Sequence, residues 1–338
     1  MDPREARVRA VIEAARAIVR EPDLVPALVA STGLSREGVE LALARHLELA
    51  PTDAELVQLL ARTRETPAVT VILSANVFVG ALRAIALACA ASSRVRVRPS
   101  RRDPLFATRL CAALPDVDLA PALVVEDVGE GELHVYGRDE TIADVRTRAR
   151  VPVRGHGAGM GIAWVTTPEE AARLADDVVA FDQRGCLSPR VVFVQGDARA
   201  CVQALHEALG SSPVPRGALL ADERAEAERW RATMTYAGEV YAGPEHAVAV
   251  GPLVVPPPGR HVQLVPVASH EEAAALLAPL RRFVTTFGTD DDDRLAPPCA
   301  RIAHLGEMQR PPLDGPVDLR PDGARLPEHA VTQASTGA

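Results

Sequence analysis

The stretch Ala68-Val69-Thr70-Val71-Ile72-Leu73 decides the fold class of this 338-residue chain. An unbroken run of apolar and β-branched residues of this length predicts a strand that is buried on both faces. A helix of small residues is expected to follow over about 79–91, and a second strand at 95–98. This order indicates a parallel sheet, because two parallel strands need a long, usually helical, connection.

The same alternation continues towards the C-terminus. Helices are predicted near 104–114 and 140–149, and strands near 122–126 and at 133–136. Beyond a glycine-rich stretch at 155–161 we predict a helix that begins at Thr167-Pro168-Glu169-Glu170, and strands at 162–165, 190–195, 246–250 and 261–267. These patterns predict an α/β protein whose mostly parallel sheets are covered by helices on both faces.

The residues before the first strand follow the period of a helix. Apolar side chains recur at three-four spacing between Ala6 and Ile18, and Thr52-Asp53-Ala54-Glu55 has the form of a capping box. We therefore predict an N-terminal helical segment over 1–64 that serves as a packing or dimerisation layer.

Composition and charge narrow the function. The net charge of −8 at pH 7 gives no general attraction to phosphate backbones or anionic lipid, so nucleic acid is not an expected partner. No apolar run approaches the roughly 18–20 residues that span a bilayer, and the charged opening residues do not resemble a signal peptide. The five cysteines include no C-x-x-C pair, so we expect reduced thiols, no thiolate metal site and a cytoplasmic protein.

One cysteine differs from the others. Cys89, Cys111 and Cys201 fall in apolar helical patterns and Cys299 follows two prolines in a loop, whereas Gly185-Cys186-Leu187-Ser188-Pro189 predicts a tight turn into a helix start. Backbone N–H groups and the helix dipole at such a place lower a thiol pKa from about 8.5 towards neutrality. Cys186 is therefore either a nucleophile or a buried turn cysteine.

Several segments together carry a family resemblance. Gly185-Cys186 followed by Ser188-Pro189 resembles the nucleophile segment of bacterial acyl-CoA reductases of the LuxC type, the family of the reductase subunit of bioluminescence fatty acid reductase and a branch of the aldehyde dehydrogenase superfamily. Four further segments, in the family's order, are Ser74-Ala75-Asn76-Val77-Phe78, Arg98-Pro99-Ser100 with Asp103-Pro104, Tyr136-Gly137-Arg138-Asp139-Glu140-Thr141-Ile142, and Leu305-Gly306-Glu307-Met308-Gln309 with Pro311-Pro312-Leu313-Asp314. The resemblance covers roughly residues 66–320.

The resemblance implies an aldehyde dehydrogenase-like fold with two Rossmann-like α/β domains. It implies a cofactor-binding domain over 65–160 and a catalytic domain over 161–320, whereas the composition of residues 321–338 predicts a loose C-terminal tail. It also gives each motif a role. Asn76 and the Cys186 backbone would form the oxyanion hole, and Arg98, Pro99 and Ser100 would contact the adenosine ribose. Gly137 and Thr141 would lie beside the cofactor phosphates, and Gly157 would let the nicotinamide approach.

The reaction implied is the reduction of an acyl-CoA or acyl-carrier thioester to an aldehyde, through an acyl group on Cys186. NADPH is the expected cofactor because Arg98, Arg101 and Arg102 follow the second strand, near where a 2′-phosphate would lie. The alternative for these arginines is a solvated basic turn. His156 is expected either to donate a proton or contact CoA, or to be structural.

The stretch Arg154-Gly155-His156-Gly157-Ala158-Gly159 stands where hydrolytic aldehyde dehydrogenases carry a Glu-x-Gly-Gly segment. It contains no carboxylate, so we expect poor oxidation of aldehydes to free acids unless Glu239 or Glu307 supplies one.

Two other interpretations stay open at this point: an acyl-phosphate reductase of the glutamyl phosphate reductase type, and a non-catalytic assembly subunit. The expected partners are an acyl-CoA or acyl-protein donor, an acyl-protein synthetase or another pathway enzyme, and further copies of the chain in a homo-oligomer.

Overall fold

A computed structural model describes residues 2–75, 77–290 and 292–320 of the chain. The chain forms two compact units. The first extends to Ala158 and includes Pro312–Val317. The second comprises Gly159–Pro311 together with the described residues from Asp318 to Arg320. Asn76 lies outside the described residues, so its role in the oxyanion hole stays a prediction, as do the domain boundaries given above.

The first unit combines one sheet with helices on its faces. Its strands are β1 (Val69–Ile72), β2 (Val95–Arg98), β3 (Val117–Leu119), β4 (Glu132–Tyr136) and β5 (Val153–His156). Its helices are α1 (Pro3–Val19), α2 (Leu24–Thr32), α3 (Arg36–Leu41) with a π-helical turn at Ala42–His46, α4 (Asp53–Arg62), α5 (Gly80–Ala91), α6 (Leu105–Ala112) and α7 (Asp139–Arg148), with a 3₁₀ turn at Val125–Asp127. All strands are parallel, in the order β3-β2-β1-β4-β5, and β1 is buried at all four positions.

The N-terminal helices form a layer against α5. Almost every residue of α5 is buried, as expected of a helix that is covered both by the sheet and by a second layer. Arg4 and Arg7 of α1 donate to the backbone carbonyls of Ala90 and Cys89, each at 2.8 Å. These carbonyls lie in the last turn of α5, where no intrahelical partner exists.

The segment Pro312–Val317 is held in the first unit by two arginines. Arg83, a buried residue of α5, donates to the carbonyls of Pro312 (2.8 Å) and Gly315 (2.6 Å) and pairs with Glu48. Arg62 of α4 pairs with the Asp314 carboxylate at 2.7 Å.

The second unit is built on a larger, mostly parallel sheet. Its strands are β6 (Met160–Val165), β7 (Pro189–Val194), β8 (Glu239–Ala242), β9 (Ala247–Val250), β10 (His261–Pro266), β11 (Val284–Gly288) and β12 (Arg301–Ala303). Its helices are α8 (Pro168–Val179), α9 (Ala198–Gly210), α10 (Ala221–Ala237) and α11 (His270–Leu277), and a 3₁₀ turn follows at Ala278–Phe283. The order is β12-β11-β6-β7-β10-β9-β8, and only the β8–β9 pair is antiparallel. Of the helices described, none is long and apolar enough to cross a membrane.

The strand predicted near 122–126 is wrong. The third strand lies earlier, at β3, and its ladder ends where the Ala120 N–H donates to the Val97 carbonyl (2.8 Å). Pro121 has no N–H with which to continue the ladder, and the chain turns so that the Leu123 N–H donates to the Ala120 carbonyl (3.2 Å). The apolar residue Val125 is buried in the core beneath this turn.

Candidate active site

The predicted cofactor motifs follow the carboxyl ends of neighbouring strands. The register pairs Ile72 with Arg98 across β1 and β2, and Tyr136 with His156 across β4 and β5. Because all these strands are parallel, the loops that follow them emerge at one edge of the first sheet. The structure therefore brings together the segments of Arg98-Pro99-Ser100, Gly137 and Gly157, which the sequence singled out separately.

Gly157 has a structural reason to be glycine. A side chain there would collide with the carboxylate of Asp139, the first residue of α7. The same carboxylate accepts a hydrogen bond from the Ala158 N–H at 3.2 Å and so ties the loop after β5 to the start of α7. Gly137 is less restricted, since an added methyl group would only touch Thr141 at 3.8 Å.

The arginines after β2 differ in environment. Arg98 is half-buried, whereas Arg101 and Arg102 are exposed, and within residues 2–75, 77–290 and 292–320 neither exposed side chain forms an ion pair. The nearest acid in sequence, Asp103, is buried and accepts a hydrogen bond from the Ser31 hydroxyl at 2.9 Å. Burial raises the pKa of this carboxyl group. Asp103 therefore binds Ser31, and it forms no ion pair with these arginines in the part of the chain that the structure describes.

His156 lies in a row of polar and aromatic side chains on β4 and β5. Its ring stacks on Tyr136 with centroids 4.4 Å apart and 13° between the planes. His134, two residues before Tyr136 in β4, is buried and bonds through Nε2 to Glu132 at 2.7 Å. The stacking gives His156 a packing role in the first unit, and the proton-donor or CoA role stays a prediction.

A left-handed turn in the second unit precedes the proposed nucleophile. Phe181, Asp182 and Gln183 have φ values of 54°, 51° and 64°. Residues other than glycine are disfavoured in this region by roughly 1–2 kcal/mol each, so other contacts must hold the turn in place.

Two buried side chains of the turn provide those contacts. Gln183 donates to the carbonyls of Pro189 (2.7 Å) and His261 (2.8 Å) and accepts from the His261 N–H (2.9 Å). The Asp182 carboxylate accepts from Arg260 Nε and from the Gly217 N–H, each at 2.9 Å. The turn thus fixes the backbone from which the Cys186 loop starts.

The predicted helix start at Cys186 is wrong. The residues after Cys186 enter strand β7, because the run Val191-Val192-Phe193-Val194 favours a strand. No helix dipole therefore acts on the thiol. Burial is the largest influence and, with the Asp318 carboxylate, raises the pKa of Cys186 to about 11, while Arg320 and a hydrogen bond from Thr285 act in the opposite direction.

The loop that carries Cys186 is packed closely against strand β6. The Gly161 N–H donates to the Ser188 carbonyl at 2.8 Å. A methyl group on Gly161 would collide with the Leu187 carbonyl oxygen and would approach Met308 Cε to 2.9 Å. Only glycine allows this approach.

Asp318 and Arg320 are site residues that the sequence analysis missed. Arg320 binds the Asp318 carboxylate through Nε (2.8 Å) and Nη2 (2.7 Å), and its side chain is only 3% exposed. A side chain on Gly159 would reach Arg320 Nη2 at 3.2 Å, so the guanidinium lies against the start of β6. No pattern in the sequence connects these two residues with Cys186, which lies more than 130 positions earlier.

The C-terminal family segment is anchored beside this loop. The Gly306 N–H donates to the Asp177 carboxylate at 2.7 Å, and the Leu305 N–H donates to Asp290 at 3.1 Å. Burial raises the pKa of Asp177 to about 7. The segment holds Met308, whose side chain fills the space left by the absent side chains of Gly161 and Gly288.

The other cysteines are as predicted. Cys89, Cys111 and Cys201 are buried in α5, α6 and α9, where burial raises the pKa of each thiol. Cys299 is half-buried in a turn. All five cysteines are free thiols.

The fold defines a class of proteins. The structure is similar to the NADP-dependent glyceraldehyde-3-phosphate dehydrogenase of Bacillus halodurans, solved with NADP, with a TM-score of 0.68 and 14% identity over 90% of this chain and 79% of that one. It is also similar to an aldehyde dehydrogenase of Mycobacterium tuberculosis, solved with NAD⁺, with a TM-score of 0.64 and 15% identity over 89% of this chain and 77% of that one. For lactaldehyde dehydrogenase of Escherichia coli the TM-score is 0.67, with 15% identity over 91% of this chain and 78% of that one. The fold is that of the aldehyde dehydrogenases, as predicted.

The sequence gives a narrower assignment. No curated protein matches it. The model of the LuxC acyl-CoA reductases matches residues 61–313. The chain therefore belongs to the LuxC acyl-CoA reductase family, has the fold of the aldehyde dehydrogenases, and is an oxidoreductase acting on aldehydes or acyl-CoA.

Proposed function

We propose that this protein reduces an acyl-CoA or acyl-carrier thioester to the aldehyde with NADPH, through a covalent acyl group on Cys186. The observation that carries the proposal is the place of Cys186 in a chain of this family. The Cys186 side chain is partly exposed. It lies in a loop whose backbone is fixed by the left-handed turn on one side and by β6 and β7 on the other. The three helical cysteines are buried packing residues.

The acyl transfer begins with attack of the Cys186 thiolate on the carbonyl carbon of the thioester. The new S–C bond forms as the bond to the CoA sulfur breaks, and CoA leaves as a thiolate. This thiolate takes up a proton from water, which balances the proton that Cys186 lost to water before the attack. One difficult step is thereby divided into two easier ones, with the acyl group held as a thioester on the enzyme.

The oxygen that becomes negative during this transfer needs hydrogen-bond donors. We assign the Cys186 backbone N–H and the Asn76 side-chain amide to this role, since removal of one such donor costs about 3–4 kcal/mol where it has been measured in other enzymes. A loop backbone held as firmly as that of Cys186 supports the proposal, because donors that are already in place need no reorganisation during the reaction.

The first unit has the features that a dinucleotide needs. Its loops emerge together at the carboxyl edge of a parallel sheet, where such ligands bind. We assign Arg98, Pro99 and Ser100 to the adenosine ribose, Gly137 and Thr141 to the phosphates, and Gly157 to the nicotinamide. When bound, the reduced nicotinamide supplies the hydride that turns the acyl group into an aldehyde.

The choice of NADPH rests on Arg101 and Arg102. Both are exposed, and neither is engaged in an ion pair in the part of the chain that the structure describes, so they are available to a 2′-phosphate. Arg101→Ala with Arg102→Ala should weaken NADPH binding more than NADH binding. Equal affinity for both cofactors, unchanged in the double variant, would show that the arginines form a solvated basic turn.

We also propose the setting of the reaction. The acyl group arrives as a CoA thioester or on an acyl-protein made by a synthetase or another pathway enzyme, and the enzyme works as a homo-oligomer in the cytoplasm. The five free thiols support a reducing compartment.

The experiment is a reductase assay with two kinds of donor. Acyl-CoA thioesters of different chain length and an acyl phosphate are offered with NADPH or NADH, and aldehyde is measured for the natural protein and for Cys186→Ala. We expect aldehyde from a thioester with NADPH and none from the variant. Turnover of the acyl phosphate alone would indicate a reductase of the glutamyl phosphate type, and no turnover with any donor would indicate an assembly subunit.

A further inference from the structure

A β-bulge lies next to the proposed nucleophile. Strand β11 pairs with β6 through Val284 opposite Met160 and through Thr286 opposite Gly161, so Thr285 is an extra residue in β11. A bulge changes the direction of a side chain and is common beside active sites. Thr285 is fully buried, and it is the residue that this bulge directs towards the Cys186 loop.

The Thr285 hydroxyl has several acceptors within reach. It donates to the backbone carbonyl of Cys186, and its oxygen lies 3.2 Å from the Met160 carbonyl oxygen. Thr285 also lowers the pKa of the Cys186 thiol, against the larger effect of burial. A hydroxyl carries a single proton, so only one of these acceptors receives it at a time.

We propose that Thr285 is a catalytic residue whose hydroxyl donates to the Cys186 carbonyl while the sulfur is a neutral thiol, and to the sulfur once it is a thiolate. A charged acceptor attracts the donor more strongly than a neutral carbonyl does. Thr285 keeps its own proton throughout, and no bond of Thr285 is broken. The inference deepens the proposed function and rests on it, because the thiolate is both the attacking group and the leaving group of that reaction.

Two charged groups also act on the sulfur. The Asp318 carboxylate disfavours the thiolate and the Arg320 guanidinium favours it. These two are bound to each other, with Arg320 Nε 2.8 Å and Nη2 2.7 Å from the carboxylate oxygens. Their opposite charges act in opposite directions on the sulfur, and the Cys186 backbone and the Thr285 hydroxyl are neutral groups that also favour the thiolate.

The next residue provides a matched control. Thr286 is also buried in β11, but its hydroxyl has no hydrogen-bond partner among the residues that the structure describes. Thr285→Val and Thr286→Val make the same change of shape one position apart, and only the first removes a donor from Cys186. Thr285→Ser keeps the donor and should behave as the natural protein does.

The test is the rate at which iodoacetamide alkylates Cys186, measured by peptide mass over a range of pH. We expect Thr285→Val to raise the pKa of the thiol by about one, which lowers the alkylation rate at neutral pH about tenfold. Thr285→Ser and Thr286→Val should leave both quantities unchanged. If Thr285→Val does not fold, Thr285→Ala carries the same expectation.

An unchanged thiol pKa in Thr285→Val, or an equal rise in Thr286→Val, would overturn the inference. Since alkylation needs no acyl substrate, it separates this inference from the proposed function. A natural protein that is alkylated as expected but reduces no acyl donor overturns the proposed function alone.

Discussion

Arg260 donates through Nε to the Asp182 carboxylate at 2.9 Å, and both side chains are almost completely buried, at 3% and 2% exposure. Arg260 comes 78 positions after Asp182, yet it secures the left-handed turn that precedes Cys186. The pair thus links the conformation of the nucleophile loop to the start of β10.

Breaking this pair should destabilise the protein strongly. Arg260→Met leaves the Asp182 carboxylate buried without its partner, which we expect to lower the free energy of unfolding by about 3–5 kcal/mol. Urea unfolding measures this. Arg199→Met, which removes an exposed ion pair with Glu239, is the control and should have little effect. Equal effects of the two substitutions would show that the buried pair does not hold the turn.

Gly161 should tolerate no side chain. Gly161→Ala places a methyl group against the Leu187 carbonyl and Met308 and must displace the Cys186 loop. We expect a cost of about 1–3 kcal/mol in stability and a kcat for thioester reduction about 100-fold lower, since small displacements of a reacting group have effects of that size. The measurements are urea unfolding and initial rates at saturating thioester.

Gly80 provides the control for this substitution. It lies at the start of α5 with no atom within 4 Å of an added methyl group. Gly80→Ala should therefore preserve kcat and leave stability equal or slightly higher. A fully active Gly161→Ala variant would contradict the close packing of β6 on the loop.

Asp177 should make stability depend on pH. Burial raises the pKa of its carboxyl group from 3.8 to about 7, so the folded protein retains a proton that the unfolded chain loses. Stability contributed by this proton is present below pH 3.8 and decreases as pH rises from there to about 7, by up to roughly 4 kcal/mol.

The comparison that isolates this effect is Asp177→Asn, which keeps an oxygen to accept the hydrogen bond from the Gly306 N–H. The free energy of unfolding is measured at several pH values between 4 and 7. We expect the natural protein to lose stability across this range relative to the variant. A constant difference between the two proteins would contradict the assignment.

Oxidation of aldehydes should depend on CoA. Two carboxylates could replace the glutamate base of the hydrolytic enzymes, and each has a cationic partner. Glu307 is exposed and paired with Arg310, and Glu239 of β8 is paired with Arg199. The carboxylate that acts on Cys186 is Asp318, which Arg320 binds through two hydrogen bonds. A base engaged in this way is poorly suited to activate water.

With aldehyde and oxidised cofactor, we therefore expect formation of reduced cofactor only when free CoA is added. Arg320→Gln, which releases the Asp318 carboxylate, should increase the release of free acid. Steady production of carboxylic acid by the natural protein without CoA would refute this prediction.

The fold could be predicted because its signals are local. The run Val69–Ile72 and the small-residue helix after it occur within one strand-helix unit, and each capping box is complete within four residues, as at Thr52 and Thr167. The wrong strand prediction at 122–126 has a local origin too. The apolar stretch favours a strand, but Pro121 interrupts the hydrogen-bond ladder.

The environment of Cys186 could not be predicted, because its parts come from distant positions. Arg260, Thr285, Asp318 and Arg320 reach the loop through strand order and a bulge, which no spacing in the sequence expresses. The glycine and proline around Cys186 correctly indicated a turn. They did not show that burial dominates the thiol pKa. In place of the helix start that they favoured, the chain enters the strand predicted at 190–195, which is present as β7.

The central claim is that Cys186 carries the acyl group, and intact-mass measurement tests it most directly. The protein is mixed with acyl-CoA in the absence of any reductant, beside Cys186→Ala and, as the control for the other half-buried thiol, Cys299→Ala. We predict one acyl group on the natural protein and on Cys299→Ala, and none on Cys186→Ala. An acyl adduct that persists in Cys186→Ala, or its absence from the natural protein with every chain length, would contradict the account.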